Sequence, residues 1–398
     1  MVLVQRCRCR CRCPIPRARR RNSVRRGLGW ARPREGPGRN QADIRPVCLR
    51  LHGVTLTCRC AAVGAQLNAP ACLRTRTARL DTVPFDTPPT SRQIWLPTEF
   101  TSLTGLPGGL RYARWDGRSP FPSDPSAVEF YVPPLVQDLD VISRPLGRMT
   151  RLKAVQALSS GTDGLGTRLR RLPGRVILCN AGGVHARSTA ELALALILAS
   201  LRRIPEYIRA QDLGLWRPGV SPSLYGRSVL VVGYGAVGSA LDDLLTPFDC
   251  AVTRVARTGR ESARGPVHHV GQLPRLIASA DIVVLTTALT PETRHLVDAK
   301  LLARARDGAL LVNVARGALV DTAALLKEVR GGRLTAALDV TDPEPLPAGH
   351  PLRETPGVLI TPHVGAFDST MWPRLEALIR RQLHRFASNE ELDNMVVY

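Results

Sequence analysis

Three polar side chains, far apart along the chain, carry the first chemical signal: Arg316, Glu344 and His363. Arg316 follows the apolar run LLVNVA, Glu344 lies in DVTDPEP five residues after Asp339, and His363 closes LITPH. Runs of that kind read as strands, and in doubly wound sheets ligands collect beyond the C-terminal ends of the strands. Reduction of a 2-keto acid at such an edge needs three services. A guanidinium fork holds the carboxylate and polarises the ketone. An imidazole, which titrates near working pH, protonates the oxygen as hydride arrives. A carboxylate beside the imidazole orients it and stabilises its protonated form. Taken singly, each residue also has a structural reading, as an arginine in a surface turn, a glutamate in a proline-rich loop or a histidine at a strand end. Their shared placement is what points to chemistry.

A second signal is Gly233-Tyr234-Gly235-Ala236-Val237-Gly238, a G-x-G-x-x-G that follows the strand-like SVLVVG and opens an Ala/Leu-rich helix. In that context the first glycine permits a tight turn, the second lets the backbone approach a pyrophosphate, and the third lets helix and strand pack closely. The unpaired N–H groups and partial positive charge of the helix start favour the phosphates. An NAD site places an acid about 20 residues further on, bonded to the ribose 2′-OH. Here Ala256 ends the second strand and is followed by Arg257, Thr258 and Arg260. A guanidinium and a hydroxyl suit a 2′-phosphate, so NADP(H) is expected in preference to NAD(H).

These residues need a scaffold. From 228 to 365 short apolar runs alternate with helical patterns: AVTRVA (251–256), DIVVLTT (281–287), ALLVNVA (309–315), TAALDV (335–340) and VLITPH (358–363). Continuous rather than alternating apolar strands are expected where helices cover both sheet faces. The rhythm predicts an α/β fold with a doubly wound parallel sheet. Upstream, IWLP (94–97), VEFYVPP (128–134), LKAVQALSSGTDG (152–164) and RVILCNAGG (175–183) read as a smaller α/β unit. Between the two lies HARSTAELALALILASLRRIPEYIRAQ, where Ser188 and Glu191 fit a capping box and predict a helix start. That helix is apolar nearly all round as far as Leu201, which predicts burial between domains or subunits. The stretch Trp372–Phe386 reads as an amphipathic helix that packs back on the first unit.

The chain has 398 residues and a formal net charge of +22, but the charge is unevenly spread. Residues 1–90 hold 19 Arg and no Lys against four acidic residues, and eight of the ten cysteines. Their composition suggests an unfolded or artefactual extension rather than a nucleic-acid arm, a transit peptide or a metal site. Alternating Cys and Arg lacks the CxxC spacing of metal ligands, so no metal is expected. The chain's three Lys against 52 Arg suggest a GC-rich genome and a biological start near Val83–Ile94. With two cysteines, Cys179 and Cys250, the remainder reads as a reduced cytoplasmic protein. Its longest apolar run, Leu192–Leu201, is about half the ~20 residues that span a bilayer.

With these motifs in place, the chain resembles the D-isomer-specific 2-hydroxyacid dehydrogenase family over about residues 92–398. The matching segments are STAELALALILA (188–199), VVGYGAVG (231–238), LTPETRHLVD (289–298), DGALLVNVARGALVD (307–321), GGRLTAALDVTDPEPLPAGHPL (331–352) and LITPHVGA (359–366). The resemblance implies the catalytic order Arg316, Glu344, His363. It implies two Rossmann-like domains: a substrate domain of 92–187 plus 367–398, and a cofactor domain of 188–366. Asp339 would hold the nicotinamide carboxamide, and Ala236, Val237, Thr287, Thr293 and Val314 would line the cofactor site. Ser159-Ser160-Gly161-Thr162 would receive the substrate carboxylate, with Ser160 and Gly161 at its centre. A small 2-keto or 2-hydroxy acid is the implied substrate and a homodimer the implied assembly. Ala288 departs from the proline many members carry. Three other readings stand behind this one: a phosphoglycerate dehydrogenase-like NAD enzyme, a formate dehydrogenase, in which Gln would stand at 344, and a dinucleotide-sensing corepressor that contacts DNA through its basic N-terminus.

Overall fold

The computed structural model describes residues 91–398, apart from 137 and 163. The readings made for residues 1–90, an unfolded extension and a start near Val83–Ile94, lie outside the described residues or at their very edge. The described chain belongs to one compact unit and is built around two sheets.

The first sheet is parallel throughout: β1 (Arg92–Pro97), β2 (Leu110–Trp115), β3 (Val128–Tyr131), β4 (Ala154–Gln156) and β5 (Ile177–Cys179), in the order β2-β1-β3-β4-β5. Two short helices, α1 (Leu139–Ser143) and α2 (Leu165–Leu169), lie between its strands in sequence. One face is an aromatic cluster in which Trp95, Trp115 and Tyr131 are buried together with Leu165 and Leu169. The other buries Ile94, Leu96, Phe130 and Leu158 against Met371, Leu375, Leu378, Ile379 and Leu383 of the last helix.

The chain leaves this sheet through α3 (Ala186–Leu201) and α4 (Ile204–Asp212) and enters the second. Its strands are β6 (Ser228–Val232), β7 (Ala251–Ala256), β8 (Arg260–Ser262), β9 (Gly265–His269), β10 (Ile282–Leu285), β11 (Leu310–Asn313), β12 (Thr335–Leu338) and β13 (Val358–Ile360), in the order β13-β12-β11-β10-β6-β7-β9-β8. The helices α5 (Ala236–Leu245), α6 (Leu273–Leu276), α7 (Ala299–Leu302) and α8 (Thr322–Arg330) intervene, and α9 (Met371–Ala387) returns to the first sheet. Residues of α3 and α5 cover one face and residues of α6, α7 and α8 the other. That two-sided cover explains why β10 and β11 are buried at every position and apolar throughout except for Asn313 at the end of β11. Strand order reverses between β6 and β10, the switch point at which doubly wound sheets bind ligands.

Three expectations need correction. The parallel sheet ends in an antiparallel hairpin, β8 against β9, which the apolar-run reading did not contain. Ser188 and Glu191 do not form a capping box. The helix begins at Ala186 with His185 at its cap, and no side chain caps it. The Ser188 hydroxyl instead donates to Asp368 and accepts from Arg374, so it ties the first crossing between the sheets to the second. A tertiary partner thus captured the hydroxyl that local sequence assigned to the helix end. The helix is also not sealed all round: Ala190, Ala193, Leu196 and Ile197 are buried, whereas Leu194, Leu198 and Leu201 are half-buried.

Candidate active site

The turn after β6 obeys the glycine logic position by position. Gly233 has φ 103°, and a Cβ there would lie 2.5 Å from the Thr287 backbone N. A Cβ on Gly238 would lie 2.3 Å from the Gly233 carbonyl oxygen. Gly235, by contrast, has nothing within 4 Å of that position. The first and third glycines are therefore needed for packing, and the second leaves an open approach to the backbone that a side chain would fill. Gly235 caps α5 without a side-chain bond, so the first N–H groups of Ala236 and Val237 depend on another acceptor. These features fit a dinucleotide pyrophosphate.

The turn is braced from beneath by residues that the motif does not contain. Tyr234 is buried, and its hydroxyl donates to Asp242 (2.6 Å). Arg254 grips both oxygens of Asp242 through Nε (2.6 Å) and Nη2 (3.1 Å), and its guanidinium stacks over the Tyr234 ring. Burial raises the Tyr234 pKa, and the hydrogen bond to Asp242 adds to the rise. Thr286 Oγ1 donates to the Gly233 carbonyl (2.5 Å). Nothing local in the sequence marks these partners.

Ala256 closes β7 as expected, with Arg257 and Thr258 exposed just beyond it. Arg260 Nη2 donates to the Tyr234 carbonyl (2.6 Å) and so ties this segment to the glycine turn. Glu292 is held below its ordinary value, mainly by a hydrogen bond from Thr290 and more weakly by the charge of Arg257. The Thr293 hydroxyl fastens its own loop, donating to the Ala288 carbonyl (2.8 Å) and accepting from the Thr290 N–H (2.7 Å). Thr287 packs directly behind Gly233, and Val314 is buried just past β11.

Beyond β11, β12 and β13 the chemistry-bearing residues come together. Asn313, buried at the end of β11, donates to the Arg316 carbonyl (2.8 Å) and accepts from the Ala315 N–H (3.1 Å), which folds the turn that carries Arg316. His363 sits in the left-handed region at φ 55°, an unusual conformation for a residue with a Cβ. Its N–H donates to the carbonyls of Asp339 (2.8 Å) and Thr361 (3.1 Å). The buried Asp339 carboxylate accepts from Thr361 Oγ1 (2.6 Å), the Val364 N–H (2.9 Å) and the Gly365 N–H (2.9 Å). It thereby organises the turn on which the imidazole stands, a role the sequence reading did not assign to it.

His363 Nδ1 and Glu344 Oε1 are 2.5 Å apart. Burial raises the Glu344 pKa. The hydrogen bond and charge of His363, the Thr341 N–H and the Arg316 guanidinium together outweigh burial and hold Glu344 below the usual range. Glu344 therefore feels both the imidazole and the guanidinium. Their side chains are not sealed in: 34% of His363 and 29% of Glu344 remain accessible, enough to meet a small molecule.

The loop after β4 has a different construction. Asn180 Nδ2 donates to the Ser160 carbonyl (2.8 Å), the Ala181 N–H donates to the Ser159 carbonyl (2.9 Å), and Ser160 Oγ donates to the Ala181 carbonyl (3.3 Å). The Ser160, Gly161 and Thr162 N–H groups find no protein acceptor among the described residues. The connector after β5 thus holds the loop by the carbonyls of Ser159 and Ser160.

The family model described as the NAD-binding domain of D-isomer specific 2-hydroxyacid dehydrogenases matches residues 194–365. Glyoxylate reductase of Aeropyrum pernix is 32% identical over 262 residues, 63% of this chain and 78% of that protein. Human glyoxylate reductase/hydroxypyruvate reductase is 34% identical over 231 residues, 54% of this chain and 68% of the relative. Among solved structures, a D-isomer specific 2-hydroxyacid dehydrogenase from Xanthobacter autotrophicus, in complex with NADPH and MES, superposes with a TM-score of 0.66. It is 29% identical, over 77% of this chain and 98% of that one.

Proposed function

The chain belongs to the D-isomer-specific 2-hydroxyacid dehydrogenase family, and on that premise we propose that it reduces a small 2-keto acid, such as glyoxylate or hydroxypyruvate, with NADPH. It is an NAD(P)-dependent oxidoreductase of the CH–OH group; the substrate, the cofactor preference and the residue roles are our reading. The observation that carries it is the 2.5 Å contact between His363 and Glu344 at the strand ends, within reach of the Arg316 charge.

A nicotinamide cofactor held at the glycine turn would supply the hydride. This chain's residues do the rest. Arg316 binds the substrate carboxylate and draws electron density towards the keto oxygen. His363, its Nδ1 engaged by Glu344, delivers a proton from Nε2 to that oxygen, so one hydride and one proton convert ketone to alcohol. Glu344 stays ionised and fixes the ring. The N–H groups of Ser160 and Gly161 take the second carboxylate oxygen. Asp339, besides bracing His363, presents its carboxylate to the carboxamide of the cofactor. Ala236, Val237 and Gly238 meet the pyrophosphate, and Thr287, Thr293 and Val314 border the cofactor's path.

Arg257 and Thr258 take the 2′-phosphate, and the NADPH bound to the Xanthobacter relative supports that preference. The five-stranded lobe with α9 serves as substrate domain (92–187 plus 367–398) and the eight-stranded lobe as cofactor domain (188–366). Leu194, Leu198 and Leu201, spaced to share one half-buried face of α3, support a homodimer joined through the cofactor lobe. No described helix is long and apolar enough to cross a membrane; a cytoplasmic location is our reading of the two remaining cysteines.

The test is a screen of NADPH oxidation over glyoxylate, hydroxypyruvate and phenylpyruvate, repeated with NADH. Saturable turnover with kcat/KM at least tenfold higher for NADPH supports the reading. Equal or better use of NADH overturns the cofactor assignment, and no keto-acid-dependent oxidation overturns the activity.

A further inference from the structure

One buried titratable group stands outside the machinery described so far. His185 is 5% exposed and lies on the connector that leaves β5 for α3. Its Nε2 is 2.8 Å from the Leu158 carbonyl, 27 residues earlier. A carbonyl only accepts, so Nε2 carries the hydrogen. The other ring nitrogen, Nδ1, is enclosed and meets no donor among the described residues. Burial lowers the His185 pKa. The Leu158 bond opposes that, the charge of Arg374 reinforces it, and Asp368 opposes it. The ring is therefore neutral at working pH, with one donor used and one acceptor idle.

An idle buried acceptor is destabilising, and a buried polar group with an unmet partner calls for an explanation. At the helix cap only its backbone carbonyl is used, accepting from the Thr189 N–H (3.0 Å), and its side chain makes no cap bond. What it does hold is the residue just before the Ser159–Thr162 loop. The Ala157 N–H extends the sheet to the Cys179 carbonyl (2.8 Å), and Ala181 holds Ser159. Leu158 sits between those two ladder bonds, and its carbonyl is fixed by the imidazole alone among the bonds found for it. The same connector continues into α3, which packs on the cofactor sheet. His185 therefore joins the loop that offers unpaired N–H groups to the element that carries the chain from one sheet to the other.

We propose that His185 is a positioning residue for the substrate: it sets the Ser159–Thr162 backbone so that its N–H groups meet the 2-keto acid carboxylate. The inference rests on the carboxylate-loop reading given above. It predicts a defect in keto-acid binding, separable from cofactor binding and from proton transfer.

The test uses the full chain and three variants, His185→Leu, His185→Ala and His185→Gln. Glutamine can return a donor to the Leu158 carbonyl. The keto-acid KM should rise about tenfold in the Leu and Ala variants, as expected for losing a bond worth about 1.4 kcal/mol. Their kcat should fall less than threefold, and the NADPH Kd from fluorescence titration should stay within twofold. His185→Gln should restore KM to within threefold of wild type. Calorimetric titration of the NADP-loaded protein with oxalate, which binds without turnover, should show the same pattern. Unchanged KM in either donorless variant overturns the proposal, as does a joint fall of kcat, KM and NADPH affinity that glutamine does not rescue. If His185→Leu does not fold, His185→Ala and the glutamine rescue decide the matter. Failure of the carboxylate-loop reading itself would show differently, as wild-type protein that neither binds oxalate nor saturates with any keto acid.

Discussion

In the proposed function the turn after β6 and the loop after β4 do comparable work, each offering backbone N–H groups to an anion beyond the end of a parallel strand, yet they are built in opposite ways. The glycine turn is specified within six residues. Gly233, Gly235 and Gly238 set its shape, and the bracing by Tyr234, Asp242 and Arg254 only stiffens it. The loop at 159–162 is shaped from elsewhere: Asn180 and Ala181 hold its carbonyls from the connector after β5, and His185 holds the carbonyl of Leu158 just before it. A turn that must approach a ligand closely excludes side chains, and that leaves a signature in the sequence. A loop held by long-range partners leaves none.

Substitutions can break or sharpen that contrast. The largest effect belongs to the residue that acts where the two ligands meet. His363→Ala should lower kcat by about 10²–10⁴, the usual worth of a general acid, with the NADPH Kd unchanged. Near-wild-type turnover would remove His363 from the chemistry. Next comes Gly238→Ala, whose new Cβ meets backbone 2.3 Å away. Overpacking costs about 1–3 kcal/mol, and rigid backbone puts this case near the top, so NADPH should bind about 100-fold more weakly while oxalate affinity at saturating NADP changes little. An unaltered Kd would break the assignment of the turn to the cofactor. Asn180→Ala should do the converse, raising the keto-acid KM about 3–10-fold through loss of one neutral hydrogen bond and sparing the NADPH Kd; a cofactor defect instead would erase the contrast.

The smallest effect lies at the crossings between the lobes. The Ser188 hydrogen bond first, then those of Thr370 and Arg374, hold the Asp368 carboxyl well below the usual carboxylate range. A folded pKa below the unfolded value of about 3.9 means that the stabilisation is present above that value and is lost as pH falls through the folded pKa. Asp368→Asn should therefore lower Tm by a constant amount from pH 8 to pH 5, with the gap to wild type closing below about pH 4. The side chain is a third exposed, so solvent screening keeps the effect to about 1 kcal/mol or less. A gap that widened in acid would contradict the assignment.

Much of the fold could be read directly. The runs at 251–256, 309–315 and 335–340 became β7, β11 and β12, because strands covered on both faces are largely apolar, even where β7 carries Thr253 and Arg254. The β8–β9 hairpin escaped, since its strands are short and half-polar. The capping-box reading at Ser188 failed because Asp368, 180 residues away, competes for the same hydroxyl.

By itself, then, the sequence determined the strand–helix rhythm, the glycine turn, the missing acid at Ala256 and the identity of Arg316, Glu344 and His363 as candidates, since each depends on residue type or near-neighbour spacing. The tertiary structure alone decided that His363 meets Glu344, that Asp339 props the imidazole's turn, and that His185 reaches Leu158. The physical reason is that hydrogen bonds and charge interactions fall off within a few ångströms in space and are indifferent to separation along the chain, so partners 19, 24 or 27 residues apart are settled only once the sheets bring their strand ends side by side.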